Sequence, residues 1–223
     1  MQSAQVLFGG TFNPPHLGHI QGLQWLMDAL SIEHIGLMPC NIPPHKNTLS
    51  IANHHRLAML EIVCELDTRF YVESIEMQRA EKSFTAQTLR ELKQKSPRPI
   101  WLVMGTDSFN SIQSWHQWQS IFSLCNIIVL KRSQQPLIKI DEATHIYELD
   151  TNTMGNKTVT DIEAVKQTHG VVIKAHCPIV NVSSTELRRQ LSLNKNSKKQ
   201  NPSLMLPQRV LNYIQENKLY EPQ

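Results

Sequence analysis

The sequence has no long hydrophobic run. Its longest apolar stretches, such as Ile127–Leu130 and Ile100–Met104, are far shorter than the roughly 20 residues that a helix needs to cross a bilayer. The first residues, Met1–Gln5, also lack the basic start that is typical of a signal peptide. We therefore expect a soluble, cytoplasmic protein with no membrane partner.

Cysteine and net charge are scarce as well. The four cysteines, Cys40, Cys64, Cys125 and Cys177, stand far apart with no C-x-x-C pair, so neither a zinc knuckle nor a disulfide framework is indicated. We expect reduced, mostly buried thiols. The formal net charge of +3 is too small to indicate a nucleic-acid partner, whereas it suits a nucleotide-sized anion.

The composition is that of an ordinary globular protein. Of the 223 residues, 40% are hydrophobic and 18% are charged, which is enough for a sizeable core and unlike a disordered or fibrous chain. We expect one domain over residues 1–223, with a helical carboxyl-terminal portion from about 184 to 223.

Short apolar runs alternate with segments of helical spacing along most of the chain. The predicted strands are Val6–Phe8, His34–Met38, Phe70–Ser74, Ile100–Gly105, Asn126–Lys131, Val171–Lys174 and Ile179–Val182. The predicted helices are Gly18–Leu30, Arg56–Glu65, Ala86–Lys95, a segment up to about Phe122, Ser184–Leu191 and Pro207–Asn217. This alternation implies parallel strands joined by right-handed helical crossovers, so the predicted fold class is α/β.

The carboxyl-terminal half contains one segment with no clear secondary-structure pattern and one with a clear helix-start pattern. Ser133–Gly170 is polar without a clean period, and only Asp161–Lys166 indicates a helical turn there. By contrast, Ser183 with Glu186 three residues later forms a capping-box pattern, which predicts a helix start.

The segment G-G-T-F-N-P-P-H-L-G-H, from Gly9 to His19, lies between the first predicted strand and the first predicted helix. Glycines there let the backbone approach a ligand, and a helix start offers unpaired N–H groups to a phosphate. The segment is neither a Walker A loop nor a G-x-G-x-x-G motif. His16 and His19 are three residues apart, so both rings can face one side of a first helical turn.

Two other interpretations of this segment are open. Two histidines could bind zinc with a third ligand, although His45, His54 and His55 form no familiar zinc pattern with them. A lone H-x-x-H could also be a plain strand-to-helix connection with surface histidines. The length of the motif argues against the plain connection.

This segment resembles the nucleotidylyltransferase signature, in which an H-x-G-H pair contacts the phosphates of ATP. Further matching motifs are Ile42–Lys46, Ser83–Leu89, Gly105–Ser108, Trp115 with Trp118, Arg132, Val182–Arg188 and the closing Leu-Pro…Val…Tyr-Ile…Leu-Tyr. Together they resemble the bacterial nicotinate-nucleotide adenylyltransferases over nearly the full chain. Asn13 departs from the pattern, because many relatives carry aspartate there.

The resemblance implies a Rossmann-like, doubly wound parallel sheet and a reaction of ATP with nicotinate mononucleotide. The products are deamido-NAD and pyrophosphate, the ATP is used with Mg²⁺, and the protein itself holds no dedicated metal site. The implied ATP-binding residues are Gly9, Gly10, Thr11, Phe12, His16, His19, Gly105, Asp107, Ser183, Ser184, Thr185 and Arg188.

Three of these residues, His16, His19 and Arg188, are the predicted catalytic group, because their side chains would donate to phosphate oxygens. Each main candidate has a structural alternative. His19 could serve only as a helix cap, Arg188 could form a surface salt bridge, and Asp107 could be a helix N-cap instead of a ribose ligand.

The resemblance also implies residues for the mononucleotide. They are His45, Lys46, Thr85, Ala86, Trp115 and Arg132. Trp115 would stack on the pyridine ring, while we expect its neighbour Trp118 to be buried in the core. The backbone N–H groups of Thr85 and Ala86 would receive the nicotinate carboxylate.

Rival functions stay open at this stage. The acceptor could be nicotinamide mononucleotide or phosphopantetheine, or the chain could be a nucleotide-binding regulator that has lost turnover. A homo-oligomer is also possible.

Overall fold

The computed structural model describes residues 4–41, 51–79, 82–131, 136–149, 161–162, 165–178, 182–193 and 205–221. Its centre is a sheet of seven strands in the order β3-β2-β1-β4-β5-β7-β6, and all neighbouring strands are parallel. The strands are β1 (Gln5–Gly10), β2 (Ile35–Pro39), β3 (Phe70–Val72), β4 (Ile100–Gly105), β5 (Asn126–Lys131), β6 (His145–Leu149) and β7 (Val171–His176). The α/β class predicted from the sequence is confirmed.

Helices cover both faces of the sheet. They are α1 (Leu17–Leu30), α2 (Asn53–Leu66), α3 (Thr85–Lys95), α4 (Thr106–Asn110), α5 (Trp118–Leu124), α6 (Ser184–Leu193) and α7 (Gln208–Glu216), with a 3₁₀ turn at Ile112–Ser114. None of the helices in the described parts of the chain is long and apolar enough to cross a membrane.

Alternating residues of β1 build two cores, one on each face. Val6 and Phe8 belong to a core that includes side chains of α1, α2, α6 and α7, whereas Leu7 points into a core with side chains of α3 and α5. Successive side chains of a strand point to opposite faces. A strand covered on both faces therefore needs apolar side chains on both, and the central strands have them at Ile100–Met104 in β4 and Ile127–Leu130 in β5.

The structure differs from the sequence prediction in two places, and two further predictions fall partly outside the described residues. The polar stretch after residue 133 contains an unpredicted strand, β6, which lies at the edge of the sheet, where burial is incomplete. The single helical segment predicted to end near Phe122 is three short pieces. Of the strand predicted at Ile179–Val182, only Val182 is described, and it is not in a strand. The turn predicted at Asp161–Lys166 lies partly outside the described residues.

Candidate functional site

The candidate site lies at the carboxyl ends of β1 and β4, which are neighbours in the sheet although five elements separate them in sequence. From β1 the chain continues towards β2 on one side, and β4 continues towards β5 on the other. Open α/β sheets bind ligands at such a reversal of strand order, because the connecting loops diverge and leave a crevice. Two adjoining cavities occupy this position.

The first, which we call the histidine cavity, has a volume of about 590 Å³. It is formed by the loop after β1, the start of α4 and the start of α6. All twelve residues predicted to bind ATP line it: Gly9, Gly10, Thr11, Phe12, His16, His19, Gly105, Asp107, Ser183, Ser184, Thr185 and Arg188. Residues that come from three distant parts of the sequence therefore meet at one cavity.

His16 and His19 stack on each other within this cavity. Their ring centroids are 3.6 Å apart with an angle of 15° between the ring planes, and Phe8 and Phe12 flank the ring of His19. His16 is the N-cap residue of α1, without a side-chain capping bond, so His19 lies inside the first turn and is not the cap. Only 1% of His16 is exposed, whereas His19 is half-buried.

Gly18, the glycine between these histidines, is required by close packing. An added Cβ would lie 3.0 Å from the Cβ of Val182 and 3.2 Å from Nδ1 of His16. Val182 directly precedes the S-S-T segment, so a side chain at position 18 would push apart the two walls of the histidine cavity. This explains physically why the motif has glycine here.

Arg188 reaches the histidine cavity from the second turn of α6. One terminal nitrogen donates to the backbone oxygen of Asn13 at 2.8 Å and the other to Oγ1 of Thr185 at 3.1 Å. Its neighbour Arg189 instead pairs with Glu186. Among the residues that the structure describes, no carboxylate pairs with Arg188, so the surface salt bridge weighed for this residue is formed by Arg189.

The capping box predicted at the start of α6 is formed in part. The backbone N–H of Glu186 donates to Oγ of Ser183 at 3.5 Å, but the carboxylate of Glu186 bonds Arg189 and Gln190. These bonds, led by the one from Arg189, lower the pKa of Glu186 to about 2.

Asp107 is exposed and lines the histidine cavity from the first turn of α4. The N-cap of this helix is Gly105, so the alternative that Asp107 is the N-cap is wrong. Its carboxylate is therefore available to a ligand at the rim of the cavity.

The second cavity, which we call the tryptophan cavity, has a volume of about 540 Å³. It shares Gly9, Gly10, Thr11 and Ser108 with the histidine cavity, so the two adjoin at the end of β1. Its aromatic wall consists of Phe84, Trp115 and His116. A flat, hydrophobic ring fits such a wall.

The two tryptophans have different surroundings. Trp115 is half-buried and lines the tryptophan cavity. Trp118 packs edge-on against Phe122, with ring centroids 6.2 Å apart, but it is also only half-buried. The prediction that Trp118 is buried is therefore wrong, because Trp118 is the first residue of the seven-residue helix α5, whose buried positions are Ile121 and Phe122, and it packs only partly against the same core.

The start of α3 borders the tryptophan cavity at Thr85. Ala86 is fully buried and its side chain does not line the cavity. The amides of Gln87 and Thr88 donate to the backbone oxygen of Phe84, so those of Thr85 and Ala86 are the first-turn amides without that acceptor. These two N–H groups stay the predicted contacts for a ligand carboxylate.

Glu76 is a buried carboxyl in the wall of the tryptophan cavity, 4% exposed, and no sequence motif points to it. The hydroxyl of Thr88 donates to it at 2.7 Å, and Arg79 donates to the same hydroxyl at 2.8 Å. Burial raises the pKa of Glu76, and the bond from Thr88 offsets the shift in part. The hydrogen bond between Thr88 and Glu76 connects the turn that contains Glu76 to helix α3.

Arg56 supports the glycine loop from behind and is fully buried. Its guanidinium donates to the backbone oxygens of Thr11 at 2.9 Å and Asn41 at 3.1 Å, and to Oδ1 of Asn53 at 2.6 Å. Burial lowers the pKa of Arg56. Local sequence could not indicate this role, because Thr11 lies 45 residues away.

Three predicted residues, His45, Lys46 and Arg132, lie outside the described residues. The zinc alternative finds no support in the described ranges, where no group of three or more His, Cys, Asp or Glu side chains could hold a metal ion. The four cysteines are free thiols, two of them buried.

Comparison with known proteins agrees with this geometry. The profile of the family described as Cytidylyltransferase-like matches residues 7–190, which defines the class of protein. Curated relatives from Saccharophagus degradans and Pseudoalteromonas atlantica are 35% and 32% identical over 97% and 100% of this chain, and over 96% and 97% of their own lengths. Both carry the name "Probable nicotinate-nucleotide adenylyltransferase". The chain belongs to the nicotinate-nucleotide adenylyltransferase family, as its motifs predicted.

Solved structures have the same fold. Nicotinic acid mononucleotide adenylyltransferase of Plasmodium falciparum, solved in complex with NaAD, superposes with a TM-score of 0.73 at 19% identity, covering 98% of both chains. The same protein in complex with APC gives a TM-score of 0.71. The Rossmann-like architecture predicted from the sequence is confirmed.

Proposed function

We propose that this chain transfers the adenylyl group of ATP to nicotinate mononucleotide, which gives deamido-NAD and pyrophosphate in NAD biosynthesis. The observation that carries the proposal is the pair of adjoining cavities, one lined by histidines and Arg188, the other by Trp115 and the start of α3. A dinucleotide product has two halves that suit these two cavities. The names of the relatives and the NaAD bound to a protein of similar fold support the same reaction.

The chemistry needs no covalent enzyme intermediate. An oxygen of the mononucleotide 5′-phosphate attacks the α-phosphorus of ATP, and the bond to pyrophosphate breaks in line as the new bond forms. Catalysis then consists of alignment, worth up to about 7–11 kcal/mol, and of donors fixed where phosphoryl charge develops. His16 and His19 would donate near the reacting phosphorus, and Arg188 would hold the β- and γ-phosphates.

The tryptophan cavity would hold the acceptor. Trp115 offers a ring face to the electron-poor pyridine, and the first-turn amides at Thr85 and Ala86 offer donors to its carboxylate. His45, Lys46 and Arg132 are proposed as further contacts to the mononucleotide. Asp107 is proposed to hold the ribose of ATP.

Nucleotidyltransferases generally use a divalent metal ion, and we propose Mg²⁺ bound to ATP. Mg²⁺ keeps several waters and is held by one or two carboxylates together with substrate phosphates, so it needs no protein cage. Asp107 is a carboxylate that lines the histidine cavity and fits this requirement. When bound, the ion neutralises charge on the phosphates.

Several features stay predictions. They are the single domain, the cytoplasmic location, the absence of a nucleic-acid partner and the possible homo-oligomer. The acid-specific acceptor is the part of the proposal that a simple assay can decide.

The test is pyrophosphate release with ATP and each of three acceptors: nicotinate mononucleotide, nicotinamide mononucleotide and phosphopantetheine. If the amides at the start of α3 select the carboxylate, the acid should exceed its amide analogue by more than about tenfold in kcat/KM, or roughly 1.4 kcal/mol. Equal efficiency with acid and amide would contradict the acid assignment, and release with none of the three would favour the regulator.

A further inference from the structure

The carboxyl-terminal segment, residues 205–221, packs beside the histidine cavity although its own motif has no assigned role. The backbone oxygen of Met205 accepts a bond of 2.9 Å from the N–H of Leu17, the first residue of α1. Further along, Tyr213 bonds Nδ1 of His55 at 2.9 Å, and Arg209 pairs with Glu65. Contacts with α1 and α2 therefore hold the segment in place.

Tyr220, near the end of this segment, reaches the loop after β1. Its hydroxyl donates to Oδ1 of Asn13 at 2.5 Å, across 207 residues of sequence. Tyr220 has a φ of +64°, in the left-handed region that non-glycine residues rarely occupy. Asn13 is only 4% exposed. The left-handed backbone at Tyr220 and the bond from this half-buried residue to the buried Asn13 together indicate that the position of the ring is closely determined.

Asn13 also bonds Arg188. Its backbone oxygen accepts the terminal nitrogen of Arg188 at 2.8 Å, while its side chain accepts from Tyr220. Two hydrogen bonds that share Asn13 thus connect Tyr220 in the carboxyl-terminal segment to the guanidinium of Arg188 in the histidine cavity. An arginine has five N–H donors, and two of its bonds are accounted for by Asn13 and Thr185, so donors are left for a phosphate.

The residues that position Arg188 are neutral, which leaves its guanidinium available to a ligand. Burial raises the pKa of Tyr220, which keeps its hydroxyl protonated as a donor, although Arg188 and Arg56 nearby act in the opposite direction. Both Asn13 and Tyr220 are neutral in this state. Arg188 is consequently held by neutral acceptors, and no carboxylate among the described residues competes with an anion for its guanidinium.

We propose that Tyr220 is a positioning residue, which acts through Asn13 to hold Arg188 in its phosphate-binding orientation. The inference deepens the proposed function and rests on it for the identity of the nucleotide.

Tyr220→Phe tests the proposal, because it removes the hydroxyl and keeps the ring. The variant should bind a non-hydrolysable ATP analogue about three- to tenfold more weakly, the effect expected of one ordinary hydrogen bond. In turnover, KM for ATP should rise while KM for nicotinate mononucleotide stays unchanged. Tyr213→Phe is the matched control: it removes a hydroxyl bond of the same segment outside both cavities and should leave both KM values unchanged.

The pathway through Arg188 is tested by a double-mutant cycle. In an Arg188→Ala background, Tyr220→Phe should weaken analogue binding no further, because the group that it positions is gone. Equal weakening in both backgrounds would overturn the proposal. So would a Tyr220→Phe variant that melts earlier but binds the analogue normally. Calorimetric binding needs no acceptor, so it reports on Tyr220 even if nicotinate mononucleotide proves to be the wrong substrate.

Discussion

His19 is the residue whose replacement best separates a catalytic from a structural role for the histidine pair. It is half-buried in the histidine cavity, whereas His16 lies almost wholly inside. His19→Ala should lower kcat by a factor on the order of 10² to 10³, with a smaller effect on ATP binding, because a donor aimed at transition-state charge is lost. His54→Ala, at an exposed histidine of α2, should leave turnover unchanged. A folded His19→Ala protein with normal turnover would return His19 to a structural role.

Glu76 makes the stability of the protein depend on pH in a definite direction. Its pKa is raised above the ordinary value of 4.5, so the folded state binds the proton more tightly than the unfolded state does. Stability should therefore fall as pH rises from about 4.5 through the raised pKa and then level off. Glu76→Gln removes the ionisation and keeps an oxygen for Thr88, so its melting temperature relative to wild type should increase over that window.

Glu91→Gln supplies the control of opposite sign. The pKa of Glu91 is lowered, first by its hydrogen bond from Arg79, so its ionised form stabilises the fold. This variant should lose stability relative to wild type as pH rises towards 4.5, and thermal melts between pH 3 and 8 would compare the two. A pH-independent difference for Glu76→Gln would contradict the role of burial.

At the scale of elements, the 3₁₀ turn and α5 place two tryptophans in different surroundings. Trp115→Ala should raise KM for the mononucleotide, with a loss of roughly 1–3 kcal/mol in binding free energy by analogy with base stacking. It should leave ATP binding nearly unchanged. Trp118→Ala should mainly lower the stability of the fold. The loss should be smaller than the roughly 3–5 kcal/mol that the removal of a fully buried ring costs, because Trp118 is only half-buried. Saturation curves and melts on both variants check this. The reverse pattern would mean that the two roles are exchanged.

Element boundaries followed from sequence wherever burial imposes a strict pattern. The strands at Ile100–Gly105 and Asn126–Lys131 are found at the predicted bounds, since both faces are covered and their inner positions are all apolar. The edge strand β6 was not predicted, because three of its five residues are exposed and no period develops. The burial of Trp118 was predicted wrongly for a similar reason, because it depends on how the short helix α5 packs against its core.

At the scale of the whole molecule, sequence motifs were enough to name the residues of the histidine cavity. Their arrangement around the cavity is known only from the structure. Motifs at the ends of β1, β4 and the start of α6 can be recognised singly, and a parallel sheet brings them to one edge. Asn13, Arg56 and Glu76 were not assigned roles because their partners lie far along the chain or depend on burial. Such contacts are specified only by the packed structure, in which distant elements meet.

The glycines shared by the two cavities bear on inhibitor design. Gly9 and Gly10 line both cavities, so a single ligand that crosses the end of β1 can contact both. Joining a phosphate mimic to an aromatic acid makes the second contact intramolecular, at an effective concentration in the millimolar range for a short linker of matching length. Two weak fragments joined across this backbone can thereby become one tight ligand.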